Sequence, residues 1–225
     1  MLLPALDKRL TTAYELYPVC EIGADIGADH GLLPLHLLAK NRCHEMIVTD
    51  ISKKALAKGE KLIQKHGFSS RASFFLGDGL LPVPYKVQAI SMLGMGGNTL
   101  CQILTSAPNM LHGATLILSA HNHMQEVRRI LPTLGYGISQ ERVVKAAGRF
   151  YAFIKALPGN SSYNEKEIFL GPKLLENKTS DVLAYWQWQH HVYTKALKEQ
   201  KQSLHFPESF ALFNHYLHML EEEIF

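Results

Sequence analysis

The chain has 225 residues, of which 47% are hydrophobic, and a formal net charge of +3 at pH 7, which is typical of a soluble globular protein with one large domain or a domain and a small appendage. No apolar run reaches the roughly 20 residues that are needed to cross a bilayer, and the first residues, "MLLPALDKRL", lack the apolar segment and cleavage site of a signal peptide. A cytoplasmic location is therefore expected.

Strands and helices alternate through the first half of the chain. Strand-like runs are predicted, in order, at 19–27, 45–50, 72–79, 87–94 and 114–120, and helices at 32–40, 52–66, 98–107 and 123–135. Ser52 is the predicted N-cap of the second helix, and Gly67 is expected to end it. This alternation, with continuous apolar strands, favours a mostly parallel sheet that is covered on both faces.

The pattern changes after residue 135. Two strand-like runs within 136–156 are separated only by "AAG", which is too short for a crossover helix, so they are expected to pair as an antiparallel hairpin. From residue 159 onwards the chain is helical by its apolar period, with breaks near Gly171 and Pro172 and at Pro207. We therefore predict two domains, 1–158 and 159–225, of which the second is small and helical.

The charge is distributed unevenly between these two predicted domains. Residues 1–158 contain 17 Lys and Arg against 11 Asp and Glu, whereas residues 159–225 contain 6 against 9. A basic main domain is compatible with a polyanionic partner such as a nucleic acid. It is equally compatible with an ordinary soluble surface.

The sequence gives no indication of a metal or redox centre. The three cysteines are far apart in the sequence and form no CxxC motif, so they are expected to be ordinary buried thiols. They are Cys20, Cys43 and Cys101. His30, His121 and His123 lack a grouping with cysteine or further acids, and no metal site is predicted.

Three acids follow consecutive predicted strands. Asp25, Asp50 and Asp78 each stand at or just after the end of a strand, and the carboxyl ends of parallel strands form the edge at which α/β sheets bind ligands. Asp50 is placed to accept hydrogen bonds from a ribose diol, and Asp78 from an adenine amino group. Gly27 and Gly31 allow a tight turn and a close approach of the backbone to a ligand.

The turn in "DIGADHGLLPLHL", residues 25–37, carries Asp29 and His30. An acid at this place would repel the pyrophosphate of a dinucleotide, which prefers an uncluttered helix N-terminus. A cationic ligand without phosphate fits better, and S-adenosylmethionine is the predicted cofactor. The alternatives are a strand-to-helix turn with polar caps and, less favoured, a nicotinamide-dependent oxidoreductase.

A second glycine-rich stretch, "MLGMGGNTL" at 92–100, is expected at the same edge. Gly94, Gly96 and Gly97 permit positive φ angles and a row of outward N–H groups that could hold a carbonyl, a phosphate or a base edge. A flexible turn is the alternative interpretation.

Taken in order, these motifs resemble those of the bacterial TrmK family of tRNA adenine-N1 methyltransferases. "ADIGADHGLLP" is similar to the family's ADIGSDHAYLP, "MLGMGG" to its AGMGG, "GRFYAFIKA" to its GKFYEII-type strand and "EIFLGPKLLENK" to its ELLLGPxLL element; "LGDGL" matches the equivalent loop. The chain departs from the family at "VTDISKKA" and at "SAHN", residues 119–122, where the family has QPN; the second difference lies where the target base is expected.

The resemblance implies an α/β protein with a class I, Rossmann-like methyltransferase sheet and a small, coiled-coil-like helical C-terminal domain. It implies methyl transfer from S-adenosylmethionine to an adenine N1 of tRNA by a monomer or weak dimer, without a metal or a membrane. The candidate cofactor-binding residues are Asp25, Gly27, Asp29, His30, Gly31, Asp50, Ile51, Asp78, Gly79 and Gly94. The candidate catalytic residues, which would position the base and the methyl group, are Asp29, His30, Gly94, Met95, Gly96 and Asn98.

The expected chemistry needs no strong general base, because adenine N1 carries an in-plane lone pair and is neutral at pH 7. Alignment of the reacting atoms would supply much of the rate, and the target base must leave its stack. A methyltransferase with another substrate and a noncatalytic RNA-binding protein that keeps the cofactor fold are the alternatives.

Overall fold

The computed structural model of the protein describes residues 2–28, 30–200 and 207–225. It divides into two compact units, Met1–Ser162 and Tyr163–Phe225. Among the helices that it describes, none has the length and apolar character to cross a membrane.

In the residues that the structure describes, the first unit contains seven strands and five α-helices. The strands are β1 (Cys20–Ile26), β2 (Cys43–Asp50), β3 (Ala72–Leu76), β4 (Ala89–Met95), β5 (Thr115–Ala120), β6 (Tyr136–Ala146) and β7 (Arg149–Pro158). The helices are α1 (Lys8–Leu16), α2 (Leu32–Ala39), α3 (Lys53–Lys65), α4 (Gly97–Ser106) and α5 (Met124–Ile130), with short 3-10 segments at Ser69–Arg71, Pro108–Leu111 and Pro132–Leu134.

The strands form one sheet in the order β3-β2-β1-β4-β5-β7-β6. Strands β1 to β5 are parallel, and β7 runs antiparallel to both β5 and β6. This confirms the predicted fold class, including the terminal hairpin. The chain proceeds outwards from β1 to β3 and then crosses to β4 on the other side of β1, so a crevice opens at the carboxyl ends of β1 and β4.

Most predicted helix boundaries agree with the structure. Ser52 caps α3, since its Oγ accepts a hydrogen bond from the Ala55 amide at 3.3 Å, and Gly67 follows the helix with a φ of +80°. The predicted helix 123–135 is shorter than expected: α5 ends at Ile130, and Pro132 starts a 3-10 turn because it lacks an N–H for the α-helical bond pattern. Helix α1 was not predicted.

Helix α1 packs against β6, β7 and α2, and Tyr17 is fully buried just beyond its end. The Tyr17 hydroxyl lies 3.1 Å from the carbonyl oxygens of both Ala24 and Ala89, which belong to the neighbouring strands β1 and β4. Desolvation raises the pKa of Tyr17 well above its usual value, so the hydroxyl remains a donor. A Cβ at Gly23 would lie 2.6 Å from the Tyr17 Oη. Any larger residue at this position would therefore collide with the tyrosine.

Only one of the three cysteines is fully buried as expected, and two of them lie close together. Cys20 and Cys43 are register partners at the start of β1 and β2, and their Sγ atoms lie 3.1 Å apart. Cys43 is buried, whereas Cys20 and Cys101 are half-buried. The pairing of parallel strands brings together two residues that are distant in the sequence.

The second unit is helical, as predicted. It contains α6 (Glu165–Leu170), α7 (Pro172–Glu176), α8 (Ser180–Gln200) and α9 (Pro207–Ile224). Gly171, with a φ of +103°, separates α6 from α7 at the predicted break. Trp186 is fully buried and donates from Nε1 to the Leu170 carbonyl at 3.3 Å, so this tryptophan belongs to the core of the unit.

Candidate functional site

Two adjoining cavities lie at the carboxyl ends of the central strands. The first has a volume of about 210 Å³ and opens between the ends of β1, β2 and β4 and the loop after β3. The second, of about 300 Å³, extends from β1 and β4 towards α1 and α2. Both are lined by Gly27, Leu93 and Gly94, so together they form one continuous site at the predicted edge of the sheet.

The first cavity combines acidic ends with apolar walls. Asp50 and Asp78 both line it, together with Ile51 and Ile103. Asp50 Oδ1 accepts a hydrogen bond from the Ser52 amide at 2.7 Å, which orients a carboxylate that still has further acceptor positions. This arrangement suits a flat apolar ring flanked by hydroxyl and amino groups.

The loop after β3 is shaped by Gly79, which has a φ of +55°. The Thr49 hydroxyl donates to the Gly79 carbonyl at 3.1 Å and ties this loop to β2. A Cβ at Gly79 would lie 2.8 Å from Ile103 Cγ2, so a larger residue would collide with the apolar wall of the first cavity.

Asp25 is the buried acid of the second cavity. The Ser91 hydroxyl donates to Asp25 Oδ1 at 2.5 Å. Burial raises the pKa of Asp25 to about 7, although the Ser91 hydrogen bond opposes the increase and the charge of Asp50 adds to it. A cationic ligand would relieve this cost by offsetting the buried negative charge.

The turn between β1 and α2 brings the backbone close to both cavities. Gly27 has a φ of +73° and donates its amide to the Thr49 carbonyl at 2.8 Å. Gly31 has a φ of +66° and, with His30, lines the second cavity. Asp29, predicted to contact both cofactor and base, lies outside the described residues.

The second glycine-rich stretch differs from the predicted row of N–H groups. Gly94 has a φ of +74°, but Gly96 is extended with a φ of −70°. The Gly97 amide donates to Asn122 Oδ1 at 3.1 Å, so it is directed at a side chain of the protein. Within the described part of the chain, Gly94 and Met95 line the cavities, whereas Gly96 and Asn98 line neither.

Sequence reasoning missed the contribution of α1 to the wall of the second cavity, which Arg9 and Leu10 line. His121, from the stretch 119–122 that was expected near the target base, lines the same cavity from the loop after β5. The Arg9 guanidinium lies 5.7 Å from the centre of the Tyr151 ring, and the His121 ring lies 6.4 Å from it. The sequence signal that could have predicted α1 is Asp7, a typical N-cap residue. Its side chain accepts a hydrogen bond from the Leu10 amide at 2.7 Å.

Residues 2–28, 30–200 and 207–225 contain no cluster of three or more histidine, cysteine or acidic residues that could hold a metal ion.

Comparison with known proteins agrees with this geometry. The model of the family described as "Methyltransferase domain" matches residues 6–154. The tRNA (adenine(22)-N(1))-methyltransferase of Bacillus subtilis is 29% identical over 203 residues, which cover 87% of this chain and 85% of that protein.

Solved structures show the same fold over nearly the whole chain. The Bacillus subtilis m1A22 tRNA methyltransferase TrmK has a TM-score of 0.88 and 25% identity, with 98% of this chain and 99% of that chain covered. TrmK of M. capricolum, in complex with the cofactor product S-adenosyl-homocysteine, has a TM-score of 0.83 and 23% identity, with 97% of each chain covered. The chain therefore belongs to the methyltransferase-domain family, and its predicted membership of the TrmK family is confirmed.

Proposed function

We propose that this protein transfers a methyl group from S-adenosylmethionine to N1 of an adenine in tRNA, and that this adenine is at position 22. The observation that carries the proposal is the pair of adjoining cavities at the carboxyl ends of the strands, which Asp25, Asp50 and Asp78 line. The position in tRNA is supported by the name of the Bacillus subtilis relative, most of whose length the chain covers.

The residues of the first cavity fit the adenosine part of this cofactor. The Asp50 carboxylate is available to ribose hydroxyls, Asp78 to the adenine amino group, and Ile51 and Ile103 to the faces of the ring. Asp25 is placed for the cationic amino-acid part, because a buried carboxylate is stabilised by a positive partner. When it is bound, S-adenosylmethionine supplies an electrophilic methyl group.

The second cavity is the proposed entry of the acceptor base. His30, Gly94 and His121 border it close to the backbone that both cavities share. These residues would hold the base edge and exclude water, while adenine N1 needs no general base. Asp29, Gly96 and Asn98 stay proposed as positioning residues on the sequence alone.

The proposed division of labour follows the two predicted domains, with cofactor binding and catalysis in 1–158 and a helical domain in 159–225. The excess of Lys and Arg in the first of these supports contacts with tRNA phosphates. A monomer or weak dimer is the proposed functional unit. A tRNA substrate supports a cytoplasmic location.

The substitution Asp50→Asn is expected to weaken binding of S-adenosylmethionine about tenfold, since a charge-assisted hydrogen bond to the ribose becomes a neutral one. Isothermal titration calorimetry measures this change. Ser52→Ala is the matched control, because it alters the N-cap of α3 and leaves the carboxylate in place; it should change the affinity less than about twofold. An unchanged affinity of a folded D50N variant would contradict the ribose assignment.

The function itself is tested with methyl-labelled S-adenosylmethionine and two unmodified tRNA transcripts, one with adenine at position 22 and one with guanine there. Nucleoside analysis should find labelled 1-methyladenosine in the first transcript and none in the second. Equal labelling of both transcripts would show that the methylated adenine is at a position other than 22. Cofactor binding without any label in tRNA would support a different acceptor or a noncatalytic protein.

A further inference from the structure

A pair of thiols occupies the edge of the sheet opposite the candidate active site. Cys20 and Cys43 face each other at the first register position of β1 and β2, with 3.1 Å between their Sγ atoms. Neighbouring strands lie about 4.8 Å apart, which falls within the Cα separations that a disulfide spans. A closure of about 1 Å between the sulfur atoms would therefore form the bond.

The two thiols differ in their access to solvent. Cys43 is fully buried, whereas Cys20 is half-buried. A surface hollow of about 480 Å³ lies beside Cys20 and is also lined by His44 and Arg71. A small oxidant therefore reaches Cys20 first and meets Cys43 only through it.

The surroundings of the pair favour reaction at Cys20. The hydrogen bond with Cys43 lowers the pKa of the Cys20 thiol, whereas the same bond and burial raise the pKa of Cys43 above its usual range. Arg71 lies beside the pair, because its Nη2 donates to the Cys43 carbonyl at 2.9 Å. Cys20 is thus the nucleophile, and Cys43 is the protonated neighbour within reach.

We propose that Cys20 and Cys43 form a redox modification site, which a peroxide converts into an intramolecular disulfide and a small thiol reduces again. The Cys20 thiolate attacks one peroxide oxygen, the O–O bond breaks, and hydroxide leaves and takes up a proton to give water. The Cys43 thiol then attacks the sulfur of the Cys20 sulfenic acid, the S–O bond breaks, and a second water leaves. The two thiols lose two electrons in total, and the peroxide gains them.

The arrangement assigns Cys43 a protective role. A sulfenic acid that is not captured by a neighbouring thiol is oxidised further to sulfinic acid, which simple thiols do not reverse. Cys43 is positioned to capture Cys20 before this happens. Cys101 lies on α4 and is not a partner in the pair.

The test treats the full-length protein with hydrogen peroxide, counts free thiols and maps nonreduced peptides by mass spectrometry. The three thiols should fall to one, with Cys20 and Cys43 joined in a single peptide pair, and dithiothreitol should restore all three. Cys101→Ala is the matched control and should form the same disulfide. The Cys43→Ala variant also lacks the hydrogen bond that lowers the pKa of Cys20, so it is exposed to peroxide until Cys20 is oxidised, and the product should then be a sulfinic acid that dithiothreitol does not reverse.

The proposal is overturned if the treated wild-type protein keeps all three thiols, or if Cys101 is oxidised while Cys20 and Cys43 stay reduced. It also fails if the folded C43A variant, once its Cys20 is oxidised, recovers with dithiothreitol as completely as the wild-type protein. Circular dichroism establishes whether each variant is folded. If a variant is not folded, the peptide map of the treated wild-type protein alone tests the proposal. The readout is independent of methyl transfer, so its failure leaves the proposed function unaffected.

Discussion

Asp25→Asn is expected to weaken binding of S-adenosylmethionine about 100-fold and, at the same time, to stabilise the ligand-free protein at alkaline pH. The substitution keeps the size of the side chain and an oxygen that accepts from the Ser91 hydroxyl, but it removes the negative charge. Truncation of one partner of a buried charge pair costs about 2–5 kcal/mol of binding free energy. A loss of 100-fold corresponds to about 2.8 kcal/mol, within this range.

The effect on stability follows from the pKa of Asp25, which is about 7 in the folded protein against an ordinary value of 3.8. Because the folded value is the higher one, the stability contributed by protonated Asp25 is fully present below about pH 4 and is lost as the pH rises through about 7. The complete loss corresponds to at most about 4 kcal/mol. The D25N variant imitates the protonated form, so its advantage over the wild-type protein should grow from pH 5 to pH 8.

Urea unfolding at pH 5 and pH 8 measures the stability, and calorimetry measures the affinity. Asp78→Asn is the control, since Asp78 stands at the same edge of the sheet but is exposed, so this substitution removes an acid without relieving the burial of a carboxylate and should not stabilise the protein. The affinity of the wild-type protein should itself fall as the pH drops below about 7, because a cationic ligand binds the ionised Asp25. Unchanged affinity in a folded D25N variant would exclude this carboxylate from the cofactor site.

Gly31→Ala is expected to lower the free energy of unfolding by about 3–5 kcal/mol, as the sum of a conformational and a steric effect. Gly31 has a φ of +66°, which is strained for alanine. The added Cβ would also lie 2.9 Å from the Gly59 Cα. Gly59 belongs to the buried face of α3, so the collision involves backbone that cannot rotate away.

Gly67→Ala is the matched control for this substitution. Gly67 has a similar φ of +80°, but a Cβ there would have nothing within 4 Å. Only the conformational cost is then expected, about 1 kcal/mol. Chemical denaturation of both variants measures the difference, and equal losses would show that α2 and α3 separate easily at this contact.

The parts of the site that could be predicted from the sequence are those fixed by local patterns. The positions of Asp25, Asp50 and Asp78 follow from apolar runs that end at an acid, because parallel strands present their carboxyl ends at one edge. The hairpin of β6 and β7 follows from a connection that is too short to contain a crossover helix. The positive φ of Gly27 and Gly94 follows from the tight turns that glycine permits.

The missed parts depend on contacts between distant segments. Arg9 enters the site on a helix of nine residues, whose place against β6, β7 and α2 is decided by tertiary packing. The Gly97 amide donates a hydrogen bond to the side chain of Asn122, which lies in the loop after β5. The glycine-rich stretch alone could therefore not show that this N–H already has a partner within the protein. The approach of Cys20 to Cys43 depends on strand register, which cysteine spacing in the sequence does not show.

The position of Tyr17 has a practical consequence for anyone who shortens this protein for crystallisation or screening. A fragment that starts at β1 would preserve every strand of the recognisable methyltransferase sheet. It would nevertheless lose the hydroxyl that bridges the Ala24 and Ala89 carbonyls, and it would open the packing space around Gly23. Such a fragment should be poorly soluble, and its second cavity should lack the part of the wall that Arg9 forms. Useful truncations therefore begin before Asp7.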